Sequence, residues 1–465
     1  MNFLSKKKNI LYLIFIFLII SIILSNIATS IKLGEQKKLI LDEFDADIII
    51  PDDYLTINEG IKKAEPWDKI FVRSGVYKEN IIIDKVGLEI FGENKQNTVI
   101  DGGKTEFDAI KIIASNVKIQ GFTITNACNE KEELWDISGV KICSSNITIK
   151  GNIISYNKLG LSVITPVSNL TIADNNFIDD GILLGNYLVT YTININDFLH
   201  NITNNTVNGK PLYYYKNQKD LTVQNDAGQV ILANCSNITI EDLYINNCDF
   251  SIILGYCLDC TIENSTIYDT NGELFLIKSD NNTIQNNIMI NNLHGVCIDF
   301  GSSSNIIRYN TIKENNVGIS ILTMSRYNMV YGNDIIENVY GIYITGYKFQ
   351  SQHDNLIYNN QVSENYHGIV ASKNSFNNKF ENNSILKNNI GLRLNDDSDN
   401  NIISNNFFKK NILSATFNKC KNNIWNNNYW NRPRLLPKLV FGTRKIGNIG
   451  IPWIDMDIRP IRRLK

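Results

Sequence analysis

A 23-residue step recurs through the second half of this 465-residue chain, and few architectures accommodate it. Glycines fall at Gly272, Gly295, Gly318 and Gly341 with that spacing, then at Gly368 after 27 residues and at Gly391 after 23. Two asparagine columns keep the same steps: Asn287, Asn310, Asn333, Asn360, Asn383 and Asn406, and then Asn292, Asn315, Asn338, Asn365, Asn388 and Asn411. Apolar columns run between them, such as Ile284, Ile307, Val330, Ile357, Phe380 and Ile403, then Met289, Ile312, Ile335, Val362, Ile385 and Phe408, and finally Ile298, Ile321, Ile344, Ala371, Leu394 and Phe417. Within a repeat the apolar and polar residues alternate over a few positions, which is the period of a strand and not of a helix. Three such strands per repeat, separated by Asn or Gly corners, describe one coil of an all-β parallel β-helix, in which each strand bonds to its equivalent one coil away. Asn and Gly tolerate the left-handed corner conformation, and stacked Asn amides can bond to one another in a ladder. The leucines of a leucine-rich horseshoe are absent.

Composition agrees with this reading. The 69 asparagines are about 15% of the chain, and 43% hydrophobic residues suffice for a long core. A balance of 45 Lys plus Arg against 47 Asp plus Glu excludes a basic nucleic-acid binder. Residues 1–30 read as a signal anchor or transmembrane helix: Lys6, Lys7 and Lys8 precede an apolar run from Ile10 to Ala28, long enough at about 1.5 Å per residue to cross nearly all of a ~30 Å hydrocarbon core. The positive-inside rule then places the remainder on the extracytoplasmic side of the cell membrane. Residues 45–100 read as a cap and the first strands, with Thr56 and Glu59 as a capping box opening a short amphipathic helix through Ile57, Ile61 and Ala64. Residues 101–430 hold the repeats, about fourteen coils and ~65 Å of rod. Residues 431–465, with Pro433, Pro437, Pro452, Pro460 and Trp453, read as an irregular C-terminal cover.

The stretch IPDDYLTINEGIKKAEPWDKIFVRSGVYKENIIIDKVGLEIFGENKQNTVIDGG (50–103) resembles the N-terminal start of NosD-like right-handed β-helix proteins, and NNTVNGKPLYYYKN (204–217) resembles another segment of archaeal members. The resemblance covers about 45–430. It implies a right-handed coil, and it implies either copper handling, after the periplasmic accessory protein that names the family, or carbohydrate binding and sugar hydrolysis, after the other name of its repeat. One fold hosts many functions, so the chemistry has to come from a site.

The columns can be searched for one. Copper would want clustered His, Cys or Met, but His294 and His367 share a column three coils apart and cannot chelate one ion. No metal ligand is assigned on this basis. Cys257 and Cys260 form a CxxC with Cys235 one coil away; packing is the simpler reading, with a bridge from Cys235 open in an oxidising compartment. Glu314, Glu337 and Glu364, followed by Lys387 and Lys410, make a corner column that is either hydrated or bridged by calcium. Cys297, Ser320, Tyr343, Val370 and Arg393 make an outward column without an acid. No catalytic carboxylate pair or lyase motif stands in these columns, so a polysaccharide hydrolase or lyase is the alternative and not the expectation. Sugar binding asks less, because aromatic rings and polar groups on a flat sheet suffice. Arg308, Tyr331, Tyr358 and Glu381 on successive coils form the candidate carbohydrate-binding column, and Tyr213, Tyr214 and Tyr215 a second cluster. The expectation is a membrane-anchored surface rod that binds cell-surface glycans or serves a structural, adhesive role.

Overall fold

The computed structural model describes residues 45–128, 136–186, 193–346, 351–434, 436–447 and 449–461. They form a right-handed parallel β-helix of about 16 turns, somewhat more than the periodicity indicates because regular coiling begins at Ile48–Ile50. The expected N-terminal membrane helix lies outside the described residues, and among the described residues no helix is long and apolar enough to cross a membrane.

One coil shows how the sequence makes the shape. Ile306–Arg308, Thr311–Lys313 and Val317–Ile321 are its three strands, each paired in parallel with its equivalents on the coils before and after. Corner residues take left-handed angles, as at Tyr309 (φ 56°) and Glu314 (φ 58°), turning the chain without a hairpin. Ile307, Ile312 and Ile321 point inward and are fully buried, so all three apolar columns read from the sequence line one continuous core.

The asparagines are buried with them. Asn333 Oδ1 accepts from the backbone N and from Nδ2 of Asn310 at 3.0 Å each, while Asn333 Nδ2 donates to Asn360 Oδ1 at 2.9 Å and to the Ile307 carbonyl at 2.9 Å. Both expected columns form such ladders, and a third runs through Asn282, Asn305, Asn328, Asn355, Asn378, Asn401 and Asn423. The amide therefore satisfies the corner's own backbone while tying it to the next coil, which a dry interior demands of polar groups.

Both ends are closed. Thr56 Oγ1 accepts from Glu59 N at 3.1 Å, and the helix Ile57–Lys63 buries Ile57 and Ile61 over the first coil, as the capping signal indicates. The other end differs from its expectation of an irregular cover: within it, Lys438–Ile446 and Ile449–Asp457 form an antiparallel hairpin with Gly447 in the left-handed region near its tip. The prolines suggest irregularity, but Pro433 and Pro437 precede the first strand, and Pro452 is accommodated in a strand that meets the rod at one pairing only, Trp425 with Asp457. Asp457 Oδ2 accepts from Asn428 N, Asn428 Nδ2 and Trp430 Nε1 at 2.9–3.1 Å, so an acceptor-only carboxylate ends an amide ladder that has nowhere further to go.

Another ladder ends in acid. Asp180 accepts from Asn157 N and Nδ2, and Asp249 Oδ2 accepts from Gly160 N and Gly181 N, both carboxyls fully buried. Burial pushes Asp180 up to about 7 against the hydrogen bonds from Asn157, and burial with the Asp180 charge pushes Asp249 up as well. A carboxyl with a raised folded pKa stabilises the fold fully below its unfolded value near 4 and loses that contribution as pH rises through the folded value.

Two outcomes follow. Asn333→Ala strands the Asn310 backbone N–H and is expected to cost about 3 kcal/mol in urea unfolding, against less than about 0.5 kcal/mol for the exposed Asn389→Ala. Asp180→Asn restores a regular amide rung, so melting curves should show a gain in Tm over the parent at pH 8 and little gain at pH 5.

Candidate functional site

The coil step is not uniform, and a chemical cluster depends on the exception. Leu274 pairs with Val296, 22 residues on, and Val296 pairs with Ile319, 23 residues on. The Gly272 carbonyl accordingly meets the His294 amide, and the residue registered with Gly295 is Glu273, not Gly272. The glycine column thus begins at Gly295, where a Cβ would lie 2.6 Å from the Gly318 carbonyl oxygen. Starting it at Gly272 slips the register by one residue, which puts Glu273 on the wrong side of its strand.

With the true register, Glu273, His294 and Cys297 converge, each offering a donor atom within 4.8 Å of the others, in the one such group of three among the described residues. His294 Nδ1 lies 3.4 Å from Glu273 Oε2 and 3.4 Å from Ser320 Oγ. Cys297 is 1% exposed and Glu273 is buried, while the imidazole reaches solvent with about a fifth of its side-chain surface. Burial pushes the Glu273 carboxyl up to about 8 and His294 down to about 4, and burial with the neighbouring Glu273 and Asp299 carboxyls pushes the Cys297 thiol well up. The imidazole is therefore neutral with its lone pair available. A reactive nucleophile wants an exposed, stabilised thiolate, and Cys297 has the opposite surroundings. The set of thiol, imidazole and carboxyl matches the donors of thiophilic and borderline d-block ions.

His294 and His367 do lie three coils apart in one column, through Val317 and Tyr340, as read from the sequence. The mixed column of Cys297, Ser320, Tyr343, Val370 and Arg393 is also in place. What that reading lacked was the acid supplied diagonally by Glu273.

Arg308, Tyr331, Tyr358 and Glu381 stand in register on four successive coils. They belong to a longer ribbon: Gln285 Nε2 donates to Glu263 Oε2 at 2.6 Å, Arg308 Nε to Gln285 Oε1 at 2.8 Å, Arg308 Nη1 to Tyr331 Oη at 3.0 Å, and Ser404 Oγ to Glu381 Oε1 at 3.3 Å. The Tyr331 and Tyr358 rings stack on each other with centroids 4.8 Å apart, so each covers one face of the other.

The remaining candidates have structural partners. Lys313 Nζ lies 3.0 Å from both Glu314 and Glu337, and Lys387 lies 2.7 Å from Glu364, so ammonium groups neutralise the corner carboxylates. Cys235, Cys257 and Cys260 are buried free thiols; Cys257 and Cys260 take ladder positions, accepting the roles that Ser279 and Asn282 hold one coil on, and the bridge left open by the sequence is not formed. Tyr213 donates to Asp226 and Tyr214 to the Phe198 carbonyl, anchoring local loops.

A family model described as periplasmic copper-binding protein (NosD) matches residues 198–362 and 345–448. These matches span more than half of the chain, and the chain belongs to the NosD family. No curated protein matches it. Similar solved structures include the A-module of the mannuronan C-5 epimerase AlgE4 from Azotobacter vinelandii, with 13% identity, 82% of this chain and 94% of that chain covered and a TM-score of 0.34. A hyperthermoactive exopolygalacturonase from Thermotoga maritima shares 10% identity over 86% of this chain and 89% of its own, with a TM-score of 0.32. Likeness at this level carries no argument about site or chemistry.

Proposed function

We propose that this protein is an extracytoplasmic β-helix that binds a thiophilic metal ion, copper by the family's description, through Glu273, His294 and Cys297. The observation that carries the reading is the convergence of those three donors within 4.8 Å at a half-covered point on the rod's wall. The donor chemistry fits copper: the Cys297 sulfur suits the cuprous ion, the His294 imidazole suits either oxidation state, and the Glu273 carboxyl adds charge toward a divalent ion. The neutral imidazole needs no deprotonation, whereas the Cys297 thiol, and the Glu273 carboxyl where it ligates, must each lose a proton on loading, so affinity should rise with pH. The rigid wall holds Glu273 and Cys297 buried before any ion arrives, which lowers the ordering entropy that binding must overcome.

Equilibrium titration of the reduced protein with cuprous ion against a chromogenic chelator tests the reading. The parent should hold about one equivalent per chain, and Cys297→Ser or His294→Gln should weaken it by at least about 100-fold with unchanged circular dichroism. Copper held equally tightly by both variants would contradict the assignment.

A second reading rests on the ribbon from Glu263 to Ser404, whose polar groups and stacked tyrosines repeat at the strand spacing along a half-exposed face. Such a face suits an extended glycan lying along the rod. Glycan-array binding that is saturable in the parent and lost on combined Tyr331→Ala and Tyr358→Ala substitution is the expected result; retention in the double variant would remove this reading.

A further inference from the structure

The C-terminal hairpin has two unlike faces. Toward the rod it presents Val440 and Asp457, both buried, with Asp457 ending an amide ladder. Away from the rod it presents the cross-strand pairs Leu439 with Met456 and Phe441 with Ile454, which are 39%, 51%, 60% and 47% exposed. Trp453, paired with Gly442, lies toward the tip on the other face of the hairpin and is also exposed there, with the Arg444 guanidinium 4.1 Å above its ring. Exposed contiguous apolar side chains of this kind mark an interaction surface.

Charge selects the occupant. Residues 431–465 carry nine Lys and Arg against two Asp, a surplus of seven in a chain whose total is -2. Two of these charges are offset locally, Arg444 by Asp455 at 3.8 Å and Lys445 by Asp397 at 2.5 Å, while Asp457 is buried against Asn428 and Trp430 and the rest of the surplus stands. Arg432 and Arg459 are exposed on the chain that leads into and out of the hairpin. A second copy would set two surfaces of the same strong sign against each other. A hairpin that offers protruding apolar side chains, a tryptophan and surrounding guanidinium groups instead combines the two signals that bring a protein to an anionic lipid surface, apolar burial and basic attraction, neither of which suffices alone. Tryptophan and arginine are also side chains suited to the headgroup level.

We propose that this hairpin is a docking surface for an anionic lipid bilayer, with Leu439, Phe441, Ile454 and Met456 entering the headgroup boundary and Trp453, one strand thickness away on the other face, within quenching reach of it. It closes the end of the rod opposite the capping helix, and it acts independently of residues 1–30 and of the Glu273–His294–Cys297 cluster.

Tryptophan quenching by brominated lipids tests this on the full chain: residues 1–44 contain no tryptophan, and the difference between the parent and Trp453→Phe isolates the hairpin from the exposed Trp67 near the other end. Vesicles of brominated phosphatidylglycerol should quench part of the emission, and Trp453→Phe should remove most of that part. The exposed double substitution Phe441→Ser with Ile454→Ser should remove it too, with circular dichroism unchanged. Neutral brominated phosphatidylcholine or high salt should weaken it several-fold. Equal quenching in the parent and in Trp453→Phe would overturn the proposal. So would equal quenching in neutral and anionic vesicles, or absence of quenching, which with hairpin-dependent self-association in sedimentation would assign the face to a second copy.

Discussion

Everything in this molecule hangs on one repeated contact, the asparagine amide that accepts from the backbone and side chain of the coil below and donates to the coil above. A parallel coil must turn three corners without hairpins, and each corner leaves backbone groups inside a dry core. Asn answers both needs at once, since its carbonyl accepts two bonds and its NH2 donates two more. An unpaired buried polar group costs about 1–3 kcal/mol, so an interrupted ladder is penalised on both sides of the gap. The ladders therefore hold coil on coil in register, and the points where they end require a different residue. Asp457 supplies that at the C-terminal end, and the Asp180 carboxyl stands at an interior end, accepting from Asn157.

Register is also what makes the chemical site. A step of 22 residues between Leu274 and Val296, beside steps of 23 above it, sets Glu273 diagonally against His294 and Cys297. The rod's wall then carries a thiol, an imidazole and a carboxyl that no short motif in the chain announces. Cys297 lies on the outward side of its strand yet is nearly inaccessible, so burial there bears on its chemistry as well as on packing.

The fold was legible because a solenoid repeats its contacts along one axis, and its inward columns appear directly as periodic Ile, Asn and Gly. The two asparagine columns, the three apolar columns and the Thr56 cap all occupy the places that the period indicates. The site was not legible for a reason of the same kind. Gly272 matches the glycine spacing by coincidence, and accepting it hides the shorter coil that places Glu273. The aligned Cys235 and Cys257 could have exposed the error, since they too stand 22 apart. The C-terminal hairpin escaped because its prolines dominate a local reading, whereas its pairing is set by Gly447 and by the ladder acid Asp457.

The central claim is that register builds a metal site on the wall of this rod. Crystals of the copper-loaded protein, measured on either side of the copper absorption edge, test it most directly. The account predicts an anomalous difference peak within bonding distance of Glu273, His294 and Cys297. A copper peak elsewhere on the molecule, with none between those three side chains, would contradict it.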